Sequence, residues 1–254
     1  RKLVQEYLDE LDAYRDKAGG GYHVWPEREY QHLVNPVLST TLLFALHTAR
    51  VKGYTVSDAV WRQAVDWTRD YLARSRFSTA AYPYDERYWV GADALALYTL
   101  AEAGLADDSY ADAIYAKIGD QPLYVKITLA QALLALGREK HKGRIFRLMT
   151  DLAGAVRYEG DFAYFREDFS RWDWSRNFYL SDVKTMGAAL NFLLKAEPSS
   201  RLVPLLTRGL VRLQRNGAWR TTQENMYACW AFASYFEIRE REVPAFSFTI
   251  SAAG

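Results

Sequence analysis

The sequence predicts an all-α protein, an α/α toroid of helical hairpins with a short strand-like C-terminal tail. Three observations carry that expectation. First, one unit recurs: an aromatic, Gly-rich loop leads into a helix crowded with small or apolar residues. Gly19-Gly20-Gly21-Tyr22-His23-Val24-Trp25-Pro26 precedes Pro36 to Leu46, and the stretch from Ala81 to Val90 precedes Gly91 to Leu97. Phe169 to Tyr179 precedes Ser181 to Leu190, and Gly217 to Arg220 precedes Thr221 to Ala228. Second, short turns such as 53–56 and 197–199 alternate with longer aromatic loops, as hairpins arranged around an axis require. Third, Ala and Gly gather in the helices after those loops, where small side chains let inner helices approach. Stacked hairpins of this kind bury a continuous core only through their neighbours.

The elements follow in order. Lys2 to Arg15 places Leu3, Tyr7, Leu11 and Tyr14 on one stripe with charges opposite, and the Gly19–Gly21 run stops it. Asn35 and Pro36 form an N-cap and first-position pair for a helix ending near Gly53. Ser57 caps a helix with the stripe Val60, Ala64, Trp67, Tyr71 that ends near Ser75. Further helices are expected over 91–103, 109–118, 123–136, 140–153, 181–196, 200–214 and 221–239. Gly104, Gly119, Gly137, Gly154 and Gly217 stand at or just past helix ends. Thr221 and Glu224 have capping-box spacing, and Pro204 falls in a first turn, where it is tolerated. The stripe Leu202, Leu206, Leu210, Leu213 reads as core. Residues 1–242 are therefore assigned to the helical array, and 243–254 to the start of a following β domain or linker. Val243 to Ile250 alternates apolar and polar after a Pro.

Composition narrows the function. Of 254 residues, 50% are hydrophobic and 15% aromatic, which a disordered chain does not carry. The net charge is +1, with both signs interspersed, giving no electrostatic reason to expect nucleic acid or an anionic membrane as partner. No window approaches the roughly 18 apolar residues of a spanning helix. Cys229 is the only cysteine, so no intrachain disulfide forms. The chain opens at Arg1 inside a helical pattern, as a piece of a longer protein would.

Several segments together resemble the thioester-containing helical domain of the bacterial alpha-2-macroglobulin family. Gly20-Gly21-Tyr22, Trp25, Thr40-Thr41 and Lys52-Gly53-Tyr54 are similar to that family's Gly-Gly-aromatic, Trp, capped-helix and Gly-Tyr pattern. Trp219-Arg220-Thr221-Thr222-Gln223-Glu224-Asn225 resembles its Trp-x-Ser/Thr-Thr-Gln-Glu/Asp segment, and the tail from Phe246 stands where a macroglobulin-type β-sandwich would resume. The reactive Cys-x-Glu-Gln of the family is absent, since Cys229 is followed by Trp230-Ala231-Phe232. Either the chain was cut after that motif or the parent lacks it. The resemblance implies a non-enzymatic domain of a protease-trapping protein, exported to the periplasm or cell envelope. Its implied partners are attacking proteases and flanking macroglobulin-type β domains.

Candidate chemistry is weighed against packing. His23, Trp25, Glu27, Trp89 and Asp173 are the candidate binding residues on the loop rim. His23 is placed to assist acyl transfer or to shield a thioester, although Trp25 and Pro26 packing on a rim accounts for the segment without chemistry. Asp85-Glu86, Glu167-Asp168 and Asp173 beside Trp89, Trp172 and Trp174 have the makings of a toroidal glycoside hydrolase. Pairing of those acids with Arg87, Arg166, Arg171 and Arg176 is the simpler reading. An α/α-toroid enzyme acting on carbohydrate or isoprenoid stands as the alternative function. Asp107-Asp108-Ser109-Tyr110-Ala111-Asp112 is one residue too long for an Asp-rich magnesium motif and reads as Asp108 or Ser109 starting a helix. Cys229, between Tyr227 and Phe232, reads as a buried structural thiol. No cofactor and no metal site are expected.

Overall fold

The computed structural model describes residues 1–26, 34–77, 86–171 and 179–239, with the side chains of 75–77 and 86–89 outside that set. The expected strand-like tail, 243–254, therefore lies outside the described residues. Two compact units emerge, one formed by 1–156 with 166–180 and the other by 157–165 with the chain from 181 onward.

The first unit holds α1 (Lys2–Glu10), α2 (Pro36–Val51), α3 (Asp58–Phe77), α4 (Glu86–Glu102), α5 (Ser109–Ala116) and α6 (Leu123–Ala155). The caps expected from the sequence are present: Leu38 N–H donates to Asn35 Oδ1 at 3.0 Å and Val60 N–H to Ser57 Oγ at 3.2 Å. The expected nesting of small-residue helices also holds. Every residue from Val90 to Leu100 is buried, and α4 packs chiefly on α6 and α2. Ala92, Ala94 and Ala96 present almost no side chain at that contact, which brings the helix axes close and fills space with Leu97, Leu129 and Leu133. Each such leucine contributes about 1.5–3 kcal/mol of burial. On α3, Trp67 and Tyr71 lie buried with rings parallel and centroids 5.3 Å apart.

α6 is two helices joined at Gly137, whose φ of 143° and ψ of 109° no helix contains. Lys126 Nζ and Asp151 Oδ2 are 2.9 Å apart. On a straight helix residues that far apart in sequence would stand some ~37 Å apart. The chain therefore doubles back at Gly137, as the expected helices 123–136 and 140–153 require. Glu167 supplies what Pro122 cannot at the buried start of α6: its Oε1 accepts from Leu123 N–H at 2.9 Å.

One expectation in this unit is corrected, that of a buried stripe on α1, while α5 starts at Ser109 as expected. α1 turns into a 3-10 segment, Leu11–Tyr14, and buries nothing: Leu3 and Tyr7 are each 60% exposed. Its stripe is a face without a core to meet. Asp108 stands at the start of α5 but does not cap it. It is in helical conformation, and Asp107 Oδ1 takes Ser109 N–H instead, at 2.8 Å. Asp108 reaches α6, where His141 Nε2–H donates to its Oδ1 at 2.7 Å and Lys140 Nζ pairs with Oδ2 at 2.7 Å. The Lys140 hydrogen bond, then that of His141, holds this carboxyl below the usual carboxylate range.

The second unit holds β1 (Arg157–Glu159), β2 (Phe162–Tyr164), α7 (Asp182–Ala196), α8 (Leu202–Arg212) and α9 (Thr222–Arg239). α7 is its inner helix, with 13 of 15 residues buried, capped by Ser181 Oγ and packed on α9 and α8. The capping box on α9 closes reciprocally, Glu224 N–H to Thr221 Oγ1 at 3.1 Å and Thr221 N–H to Glu224 Oε2 at 3.2 Å. The antiparallel β1–β2 hairpin, not expected from the sequence, turns at Gly160 (φ 56°) and lies on α8. Gly209 makes that contact possible, because a Cβ there would stand 2.0 Å from Ala163 O. Leu213 is 41% exposed and so is not core: it follows the last turn of α8, whereas Leu206 and Leu210 are fully buried. Cys229 is exposed, not buried. α9 turns Glu224, Tyr227, Ala228 and Ala231 inward, and one residue past Ala228 rotates Cys229 about 100° away.

Two outcomes follow. Gly209→Ala loses at least ~2 kcal/mol of stability in urea unfolding, since backbone and not a flexible side chain meets the added methyl. Asp108→Asn costs roughly 1–2 kcal/mol at pH 7, by the same assay, and progressively less in acid. A carboxyl whose folded pKa is depressed stabilises above its unfolded pKa and loses that contribution as pH falls through the folded value.

Candidate functional site

Among the candidate sites, the frame of the Gly-Gly-aromatic loop lies in the described residues of the first unit. Asp16 starts it: Gly19 N–H donates to Asp16 Oδ2 at 2.9 Å, Gly20 N–H to Asp16 O at 2.8 Å and Asp16 N–H to Gly21 O at 2.7 Å. Gly20 has φ 83°, and a Cβ on Gly21 would stand 2.4 Å from Val34 and 2.6 Å from Trp67 Nε1. The loop can take this course only with glycine at both positions. Tyr22 then enters the core at 1% exposure, its N–H donating to Ser39 Oγ at 2.8 Å and its carbonyl accepting from Asn35 N–H at 2.9 Å. Burial pushes its phenol up to about 12.

His23 follows at 2% exposure, with N–H to Tyr14 O at 2.8 Å and a bridge to Val34. Its Nδ1 is buried and makes no hydrogen bond among the described residues. It lines a cleft of about 540 Å³ with Asp9, Glu10, Asp12, Arg15, Asp16 and Lys17. Lys17 first, then Arg15, hydrogen-bonds Asp12 and holds its carboxyl below the usual range. The wall beside His23 thus carries the Asp12–Arg15–Lys17 ion-paired cluster.

The other candidates fall elsewhere. Trp25 is 59% exposed and Val24 48% exposed, so the rim packing expected of Trp25 is not found. Beyond His23 the loop turns outward and presents an indole to solvent. Trp89 lies on α4 with its side chain outside the described residues, and Glu27 and Asp173 lie outside them altogether. The acids of the glycosidase alternative that are described serve local structure. Glu167 holds the start of α6, and Asp168 Oδ1 accepts from Ser170 N–H and Oγ at 3.1 and 2.6 Å. Trp219 is a packing residue: its Nε1–H donates to Leu210 O at 3.0 Å and its ring meets Phe232. No group of three His, Cys, Asp or Glu among the described residues is arranged to hold a metal ion. Among them no helix is long and apolar enough to cross a membrane.

What sequence reasoning missed is the polar anchoring beneath the loop. Ser39 on α2 gave no signal beyond a small polar residue in an apolar helix; separately, in the second unit, Lys184 on α7 is buried although a lysine has the pattern of a surface charge.

No protein-family model matches the chain, and no curated protein matches it in sequence. Solved structures do. Native alpha-2-macroglobulin from Escherichia coli aligns over 92% of this chain at TM-score 0.71 and 17% identity. A fragment of the same protein from domain MG7 to the C-terminus aligns over 92% at 0.69 and 16% identity. Salmonella alpha-2-macroglobulin reacted with methylamine aligns over 87% at 0.65 and 21% identity. The chain spans 14% of the E. coli protein's length and 13% of the Salmonella protein's. At these identities the likeness establishes the fold alone: the helical array is similar to a segment within bacterial alpha-2-macroglobulins.

Ser39→Ala leaves the buried Tyr22 N–H without its acceptor and lowers stability by ~1–3 kcal/mol in chemical unfolding.

Proposed function

We propose that this chain is the helical thioester-type domain, an α/α toroid, of a bacterial alpha-2-macroglobulin-like protease inhibitor. The observation that carries the reading is the alignment with bacterial alpha-2-macroglobulins over nine-tenths of the chain. The Gly20-Gly21-Tyr22 and Trp219-to-Asn225 segments support it independently, since their resemblance to the same family lies in the residues themselves. The chain acts as a scaffold and not as an enzyme. In the parent, an attacking protease cleaves an exposed segment, the assembly rearranges, and a shielded acyl donor outside this chain meets a nucleophile. Attack on a thioester carbonyl forms the new acyl bond and expels a thiolate. In this reading His23, Trp25, Glu27, Trp89 and Asp173 are the candidate binding residues of the aromatic loops. The partners are target proteases and flanking macroglobulin-type β domains, and the location is the periplasm or cell envelope.

Within this scheme the described residues have definite roles. The Asp16–Gly21 turn and the Tyr22–Ser39 bond fix the loop base, and His23 is the imidazole held behind it. Trp25 supplies an exposed aromatic contact. Cys229, exposed on α9 and lacking a following Glu-Gln, is not the thioester cysteine.

Methylamine labelling of the full-length parent, read by intact mass and thiol titration, tests the reading. A thioester-bearing parent gains one methylamine and one new titratable thiol in addition to Cys229. A parent that gains neither does not carry the acyl donor, and trapping by this covalent route is then excluded.

A further inference from the structure

α1 buries no residue and is tied to its unit through a side-chain amide. Gln5 Nε2–H donates to Thr55 O at 2.9 Å, and Thr55 N–H donates to Gln5 Oε1 at 3.0 Å. One amide thus pairs with both backbone groups of Thr55 in the turn between α2 and α3, and so sets the rotation of α1. With Gln5 turned inward, Leu3 and Tyr7 are each 60% exposed and Val4 is 42% exposed. At about 100° per residue these three lie together on one side of the helix. Apolar side chains scattered singly over a surface are ordinary, whereas three adjacent ones on a helix form a face able to pack on a partner.

The charges beside this face are of one sign. From Leu3 to Tyr14 the sequence carries four carboxylates and no Lys or Arg. Glu6 and Glu10, both exposed, border the face along the side of Leu3 and Tyr7, and Asp9 is exposed next to Glu10. Lys2 stands 3.7 Å from Glu6 at the start of the helix. At its other end the helix meets the cleft that His23 lines, where Asp9, Glu10, Asp12 and Asp16 face only Arg15 and Lys17 among the lining residues. Both of those cations pair with Asp12, so the excess negative charge stays with the others.

We propose that α1 is a docking face for a basic amphipathic helix of another polypeptide. Apolar side chains of the incoming helix pack on Leu3, Val4 and Tyr7, and its Lys or Arg residues meet Glu6, Asp9 and Glu10, the last of them at the mouth of the cleft. The sign of the charge selects this occupant. An anionic segment or an anionic lipid surface meets like charge along the helix, and the α1 of a second copy brings the same acids against themselves. Tyr7 is the anchor, since an aromatic ring offers large contact area at low entropic cost. The carboxylates orient the partner and, being exposed, are screened by salt, whereas the apolar contact is not. This docking is independent of whether the parent carries a thioester.

Fluorescence anisotropy with the full chain tests this, the probe being a labelled synthetic peptide of about 18 residues with Leu and Lys at amphipathic helical spacing. Two controls accompany it, the same peptide with Glu for every Lys and a Leu/Lys peptide of scrambled order. The Leu/Lys helix binds at least about tenfold more tightly than either control at low ionic strength. Tyr7→Ser and Leu3→Ser each weaken it by about fivefold or more at any ionic strength. Glu6→Gln combined with Glu10→Gln weakens it by about fivefold at low ionic strength and much less at about 1 M salt. Because α1 buries nothing, these variants keep the wild-type unfolding transition. Glu139→Gln and Phe146→Ser, exposed on α6, leave binding unchanged. A control peptide bound as tightly as the Leu/Lys helix, or an affinity unmoved by the α1 variants, overturns the proposal. So does an equal loss in the α6 variants, which marks attraction to the surface at large.

Discussion

Close approach of backbone to backbone is the constraint on which this structure depends. Gly209 admits Ala163 O, Gly187 admits Tyr227 O, and Gly20 admits Gln63 O, each at a distance that a single methyl would abolish. The alanines of α4 do the same less severely, letting α2 and α6 close on a helix buried from Val90 to Leu100. Helices this near to one another lose little space to voids, and the large side chains fill what remains. Tyr22, Tyr71, Tyr98, Tyr124 and Phe165 are all fully or almost fully buried.

Such nesting explains why polar groups appear where they do. Inner helices have buried ends, and every buried end needs a partner for its free N–H groups. Ser181, Thr221 and Asn35 provide them locally, and Glu167 provides one to α6 from 44 residues away. Asp108, with its own N–H neighbours served by Asp107, is left to bind His141 and Lys140 and so ties α5 to α6. The same economy of space leaves Lys184 buried on α7.

Much of this was legible in the residues. Caps at Asn35, Ser57 and Thr221, and the break at Gly137, are local chemistry and need no knowledge of the tertiary structure. Burial was harder, because it depends on which side of a helix finds a neighbour. Leu3 and Tyr7 form a stripe as regular as that of α3, yet nothing in α1 is buried. Leu213 continues the α8 stripe by spacing but lies beyond the last turn, and Cys229 sits among aromatics on the wrong face. The hairpin was missed because three-residue strands offer too short an alternation to register, although Gly160-Asp161 between Tyr158 and Phe162 is the turn signal that marks it. For the candidate site, the loop's glycines were readable, whereas the inward His23 and outward Trp25 depend on the bonds to Tyr14, Val34 and Ser39.

The functional account is tested most directly by challenging the full-length parent with trypsin and following its action on a large protein substrate and on a small peptide. A protease-trapping parent is cut, retains the enzyme and protects the protein substrate while the peptide is still cleaved. Trypsin that degrades the parent and hydrolyses both substrates at its ordinary rates would contradict the account.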